Sequence, residues 1–119
     1  MRTYVSALSV LALILTHAEN VPYADWFMSL HQPEKPKSSC CGEADQYYVK
    51  DLTPSTEPNI AFTAIVYGKY DWLPTFTVDV PSSTVMWNTN NPTGRPVIFI
   101  QVTEYDTRKV LCFIPGTGT

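Results

Sequence analysis

Beyond residue 45 the chain is written in short apolar runs separated by proline, glycine, asparagine and serine. IAFTAIVY at 60–67 and VIFIQVT at 97–103 are β-branched and aromatic and bounded by turn formers, which predicts strands. TFTVDV at 75–80 alternates Phe76, Val78 and Val80 with Thr75, Thr77 and Asp79, so one face is expected to be buried and the other wet. QYYVK at 46–50, TVMW at 84–87 and VLCFI at 110–114 bring the expectation to about six short strands. Between them, 52–59 with two prolines, 68–74 and 88–96 predict loops. Residues 104–109 have the composition of a hairpin tip, and 115–119 form a Gly-rich tail. Upstream, Trp26, Phe27 and Leu30 share one side of a short helix expected over 26–31, with Asp25 placed to cap its first amides. Two prolines make 32–39 a connector.

No helical segment separates the strands, so antiparallel hairpins are the natural connection. The expected class is therefore mainly all-β: a small antiparallel barrel or sandwich with one short N-terminal helix. The first residues read differently. Arg2 supplies a positive start, VSALSVLALIL an apolar stretch, and Thr16-His17-Ala18 small residues at the −3 and −1 positions of a cut before Glu19. That pattern predicts a signal peptide over 1–18, then a leader, helix and connector over 19–39, then a β domain over 40–119. The apolar stretch is too short for a comfortable membrane span, which takes roughly 20 residues, so no stable membrane insertion is expected after its removal.

Charge narrows the partners. The formal net charge is −3, and the basic residues are scattered rather than gathered in a stripe, which argues against nucleic acid. Cysteine usage then fits the export signal. The three cysteines, Cys40, Cys41 and Cys112, cannot all pair within one chain. In an exported protein Cys112 is expected to bridge to either Cys40 or Cys41, closing about 71 residues and adding roughly 4 kcal/mol of stability in the chain-entropy picture. In extended backbone the two neighbours would point to opposite faces, one toward Cys112 and one away. The spare thiol reads as a buried inert cysteine, a link in a covalent dimer, or a group that exchanges with the bridge; a strained Cys40–Cys41 ring is the fourth reading. A Cys3His metal set with His31 lacks the two-to-four-residue spacing of structural zinc ligands, so no metal or other cofactor is expected.

Other constellations carry weaker signals. Glu43 and Asp45 are two residues apart, but so are countless solvated acidic pairs; their expected role is to order the Cys-Cys turn by accepting backbone amides. A Cys–His nucleophile from His31 and Cys40 has no supporting signature. Tyr67, Tyr70, Trp72 and Trp87 divide between core and an aromatic face for a sugar or peptide. Tyr70 and Trp72, in a loop between Gly68 and Pro74, are expected to be exposed; Trp87, ending a strand, is expected to pack. Asn91 and Arg95, in the polar 88–96 loop, are further candidates for a ligand site.

Two stretches, taken together, resemble a known group. The first runs from Asp25-Trp26-Phe27 through the Pro33 and Pro36 connector to Ser39-Cys40-Cys41-Gly42-Glu43-Ala44-Asp45 and Tyr47. The second includes Trp87, Asn91-Pro92-Thr93-Gly94, Phe99, and Cys112-Phe113 before Pro115-Gly116. They are similar to an uncharacterised family of small secreted, mostly proteobacterial proteins with SCCGEAD and NPTG segments and a late single cysteine. The usual tail of that family has two prolines where this chain has Pro115-Gly116. The resemblance implies export and the cysteine layout, and it carries over no catalytic residue. The expectation is an exported, non-enzymatic binding or structural module with a protein, peptide or glycan ligand. The alternative is a thiol-based redox or metal-handling protein using Cys40 and Cys41.

Overall fold

The computed structural model describes residues 22–117; the expected signal peptide at 1–18 lies outside them. A short helix α1 (Ala24–Ser29) leads into β1 (Asp45–Pro54), β2 (Ile60–Val66), β3 (Phe76–Pro81), a 3-10 turn (Ser82–Thr84), β4 (Val97–Val102) and β5 (Arg108–Ile114). The five strands form one antiparallel sheet in the order β3-β2-β1-β4-β5. The sheet curls until its edge strands approach, and it is a nearly closed, barrel-like shape. Where β3 and β5 meet, the Arg108 guanidinium sits 4.3 Å from the centre of the Phe76 ring. A parallel bridge from Val85 to Phe113 fills more of the gap.

β1 makes the curl. Its first residues, Asp45 to Tyr48, pair with β4, and from Val49 onward it pairs with β2. Just past this handover, a bulge at Lys50 interrupts the β1–β2 ladder between Val49 and Asp51. An extra residue on one strand bends it and sharpens its twist, so β1 can serve both halves of the sheet. This is also why β1 runs through Pro54, into the stretch expected to be loop. Pro54 is the last residue of the strand, where a missing amide costs little.

The core has two layers. Inside the barrel, Tyr47, Val49, Val66, Val80, Ile98, Ile100 and Phe113 pack together. On the outer face of β4 and β5, Phe27 and Leu30 of the helical segment cover Cys40, Val97, Phe99, Leu111, Cys112 and Ile114. β4 therefore alternates its side chains between two buried layers, and its sequence is apolar throughout. In β5 a register shift lets both Leu111 and Cys112 join the outer layer. The leader helix and the β domain are thus one packed body, joined by the edge-on contact of Phe27 with Phe99 at 6.0 Å.

Two local expectations need correction. Helix α1 starts at Ala24, with Tyr23 at the cap position in left-handed backbone and no side-chain cap, so Asp25 lies within the first turn. Residues 84–87 do not form a strand of their own. Thr84 ends the 3-10 turn, its hydroxyl donating to the Pro81 carbonyl at 2.7 Å, and only Val85 bridges to β5. Trp87 is consequently not packed: it is 58% exposed, touching Phe62 at a ring separation of 5.9 Å.

Candidate functional site

The cysteine question resolves first. Cys40 is bonded to Cys112, with Cα atoms 6.0 Å apart and a sequence separation of 72, and Cys41 is free and exposed. Both bonded sulfurs are fully buried beneath Phe27 and Leu30. The neighbours part company through a turn rather than by strand alternation: Cys40 takes the Leu30 carbonyl with its amide, and Ala44 donates back to the Cys40 carbonyl. The turn is held from outside by Gln32. Its buried amide donates to the Ser39 carbonyl at 2.9 Å and to the Glu43 carboxylate. Glu43 thus orders the turn through a side chain, not through backbone amides as expected, and Gly42 donates its amide to Ser39 Oγ. Asp45 instead pairs with Lys69 at 3.3 Å. Among the described residues no three His, Cys, Asp or Glu side chains gather as a metal-binding group. His31 is exposed, its backbone bridged to Ser39.

Asn91 is engaged within its own loop. Its Nδ2 donates to the carbonyls of Arg95 at 2.7 Å and Pro115 at 3.0 Å, and its Oδ1 accepts from the Thr93 amide and hydroxyl. The NPTG loop is thereby clasped to the C-terminal tail, and a Cβ on Gly116 would fall 2.6 Å from the Pro96 nitrogen. Asn91→Ala is expected to cost about 1–3 kcal/mol by leaving carbonyls without a donor. Asn91→Asp should cost at least as much, because a carboxylate would face those carbonyls. Urea midpoints of the two variants check this.

The clasp positions Arg95, and Arg95 leads to a concave feature of this fold. Its guanidinium lies 3.8 Å from the centre of the Tyr48 ring, on the outer face of β1. Together with Gln46, Tyr67, Lys69, Tyr70 and Asp71 these two residues line a groove of about 630 Å³ between β1 and the β2–β3 loop, 67–75. The loop folds tightly. A Cβ on Gly68 would meet Leu73 Cβ at 2.7 Å and the Leu73 carbonyl at 2.8 Å, so only glycine lets the returning chain come so close. A turn bond from the Leu73 amide to the Tyr70 carbonyl, 2.9 Å, brings Tyr70 and Trp72 together. Their rings stack at 4.8 Å with planes 5° apart, and they are 50% and 78% exposed. On the other wall, Gln46 Nε2 is buried with no hydrogen-bond partner. Buried polar groups are nearly always paired, so an orphan donor on a groove-lining residue is a departure that calls for a partner.

No family profile, curated protein or solved structure matches this chain. Of the candidates named from sequence, the structure brings Tyr70 and Arg95 to one groove, stacks Trp72 on Tyr70 at its border, and leaves Cys41 and Asn91 outside it. Gln46, Tyr48 and Lys69 escaped the sequence reading. In QYYVK they look like ordinary strand alternation, and only the curl of β1 turns Gln46 and Tyr48 toward the loop.

The groove's charge and its floor also set a pH limit. Lys69 is raised above its ordinary value of 10.5, first by its hydrogen bond to Asp45 and then by that carboxylate's charge. Tyr47 is raised above 10.0, first by burial and then by Asp45. Both groups hold their protons more firmly when folded. Their contributions are complete below the ordinary values and are lost as pH climbs through the folded ones. Stability should fall above about pH 10, and Tyr47→Phe should make that fall shallower in denaturant titrations at stepped pH.

Proposed function

We propose that this chain is an exported, non-enzymatic binding module of the periplasm or extracellular space, with the groove between β1 and the β2–β3 loop as its ligand face. The observation that carries this reading is an exposed, pre-stacked aromatic pair beside a groove that holds an unpartnered amide donor. Tyr70 and Trp72 together leave a contiguous aromatic surface wet, and exposed apolar patches mark interaction sites. Export is supported by the signal-like pattern of residues 1–18 and by an intramolecular disulfide, which persists in oxidising compartments. Resemblance to a group of secreted proteins points the same way. A non-enzymatic role is supported by the carboxylates nearest the cysteines, each of which already serves a structural partner: Glu43 takes Gln32 and Asp45 takes Lys69. A thiol-exchange role for Cys41 would require the outer layer to open, because both bonded sulfurs are sealed.

Two measurements test the proposal. Fractionation followed by intact mass should find a chain beginning at Glu19 outside the cytoplasm. Amide chemical-shift mapping with peptidoglycan fragments, soluble oligosaccharides and peptides should move resonances of 46–48, 67–75 and 95. A retained leader, or shifts clustered elsewhere on the fold, would overturn it.

A further inference from the structure

Resting on that reading, we infer that the groove takes a neutral oligosaccharide, with a sugar ring laid against the Tyr70–Trp72 pair and its hydroxyls turned to Gln46 and the flanking charges. Three features select this class. The first is the aromatic pair itself. Two rings stacked 5° from parallel brace each other and leave each outer face as a flat plate, held in advance by the tight return of the chain at Gly68. A pyranose presents an apolar face of C–H bonds and a polar rim, which suits a flat plate bordered by hydrogen-bonding groups; aromatic rings provide such area at little entropic cost.

The second is charge. Lys69 and Arg95 carry two positive charges, and Asp45 and Asp71 two negative ones. Lys69 and Asp45 are paired with each other, and Arg95 is spread over Tyr48. A groove balanced in this way offers donors and acceptors but no surplus charge to hold an anionic or cationic ligand. Gln46 adds the unmet donor, for which a hydroxyl or an acetamido carbonyl is a suitable acceptor.

The third feature disfavours peptides. Added strands need a long open edge, but beside the groove β1 lacks a β2 partner only over Asp45–Tyr48, where the Tyr48 carbonyl already accepts the Tyr67 amide and the Lys69–Asp45 pair crosses the gap. Proline-rich segments seat their rings in slots between aromatic side chains. Here the two most exposed rings beside the groove are stacked face to face, which closes the slot between them.

The test is a titration of the disulfide-bonded protein with maltotetraose, cellotetraose and chitotetraose, followed by tryptophan fluorescence and by amide shifts. At least one sugar should bind and move Gln46, Tyr70 and Trp72. Trp72→Ala should weaken it about tenfold or more, while Trp87→Ala, at another exposed tryptophan away from the groove, leaves it unchanged. Gln46→Leu separates function from folding. Replacing an unpartnered buried amide with an apolar side chain should leave the melting temperature equal or higher, yet lower sugar affinity. Absence of binding by all three sugars at millimolar concentration would overturn the saccharide assignment. So would wild-type affinity in Trp72→Ala, or a Gln46→Leu variant with unaltered binding. If a proline-rich peptide moves the groove resonances and the sugars do not, the saccharide class fails while the binding groove stands. Shifts confined to another face would end both.

Discussion

Cys112→Ser is expected to lower the free energy of unfolding by about 2–5 kcal/mol, as loss of a native disulfide in a small secreted domain does. For a domain whose whole net stability is on the order of 5–15 kcal/mol, that is a large share. Two effects add. The bond links residues 72 apart and so restricts the unfolded chain over most of the described length. It also sits in the layer where Phe27 and Leu30 cover β4 and β5, so breaking it loosens the helical segment's attachment. The reading predicts an asymmetry between neighbours. Cys40→Ser should match Cys112→Ser, whereas Cys41→Ser, at an exposed position, should stay within about 0.5 kcal/mol of wild type. Guanidinium unfolding midpoints decide it. Equal effects at Cys40 and Cys41, or an unchanged midpoint in Cys112→Ser, would contradict the bond assignment.

Phe113→Ala should cost about 3–5 kcal/mol, the usual range for deleting a fully buried aromatic side chain. Phe113 is next to Cys112 in sequence but faces the other way, into the barrel. There its ring meets Phe62 of β2 at 5.5 Å, and its backbone bridges to Val85 beyond β3. It therefore connects the last strand to the opposite half of the sheet. A cavity at this point removes transfer free energy and also the contacts that hold the curled sheet nearly shut. Hydrogen exchange provides the specific readout. The amides of β3 and β5 should lose protection in Phe113→Ala, while in Cys112→Ser the first to loosen should be residues 24–44. If both variants loosened the same amides, the two layers would not be separate units of the core.

The groove explains why so much of this surface escapes a reading of composition. Tyr70 and Trp72 were recognisable as exposed because they stand in a loop between Gly68 and Pro74, and turn residues are a local signal. Their stacking was not recognisable, because it depends on how closely the chain returns past Gly68. Trp87 misled for a related reason. The residues before it read as a strand, but Pro81 and the Thr84 hydroxyl start a 3-10 turn, and the side chain leaves the core. Asn91 looked like a loop amide available for a ligand. Its partners are the carbonyl of Arg95 and, 24 residues from Asn91, that of Pro115, and no local pattern announces the second contact.

What the sequence determined alone is what depends on short range. The β-branched runs and their turn residues specify strands and an antiparallel, mainly β class, since extended backbone and tight turns are chosen within a few residues. Only the tertiary structure decided matters of long range. β1 passes from β4 to β2 at Tyr48–Val49 and is bent by the bulge at Lys50 beside that handover, and a turn seals Cys40 beneath Phe27 while Cys41 faces solvent. The same curl leaves the Gln46 amide unpartnered opposite the aromatic loop. Each of these outcomes depends on residues brought together from distant parts of the chain, where the closing of the sheet, not local preference, sets which side chains meet.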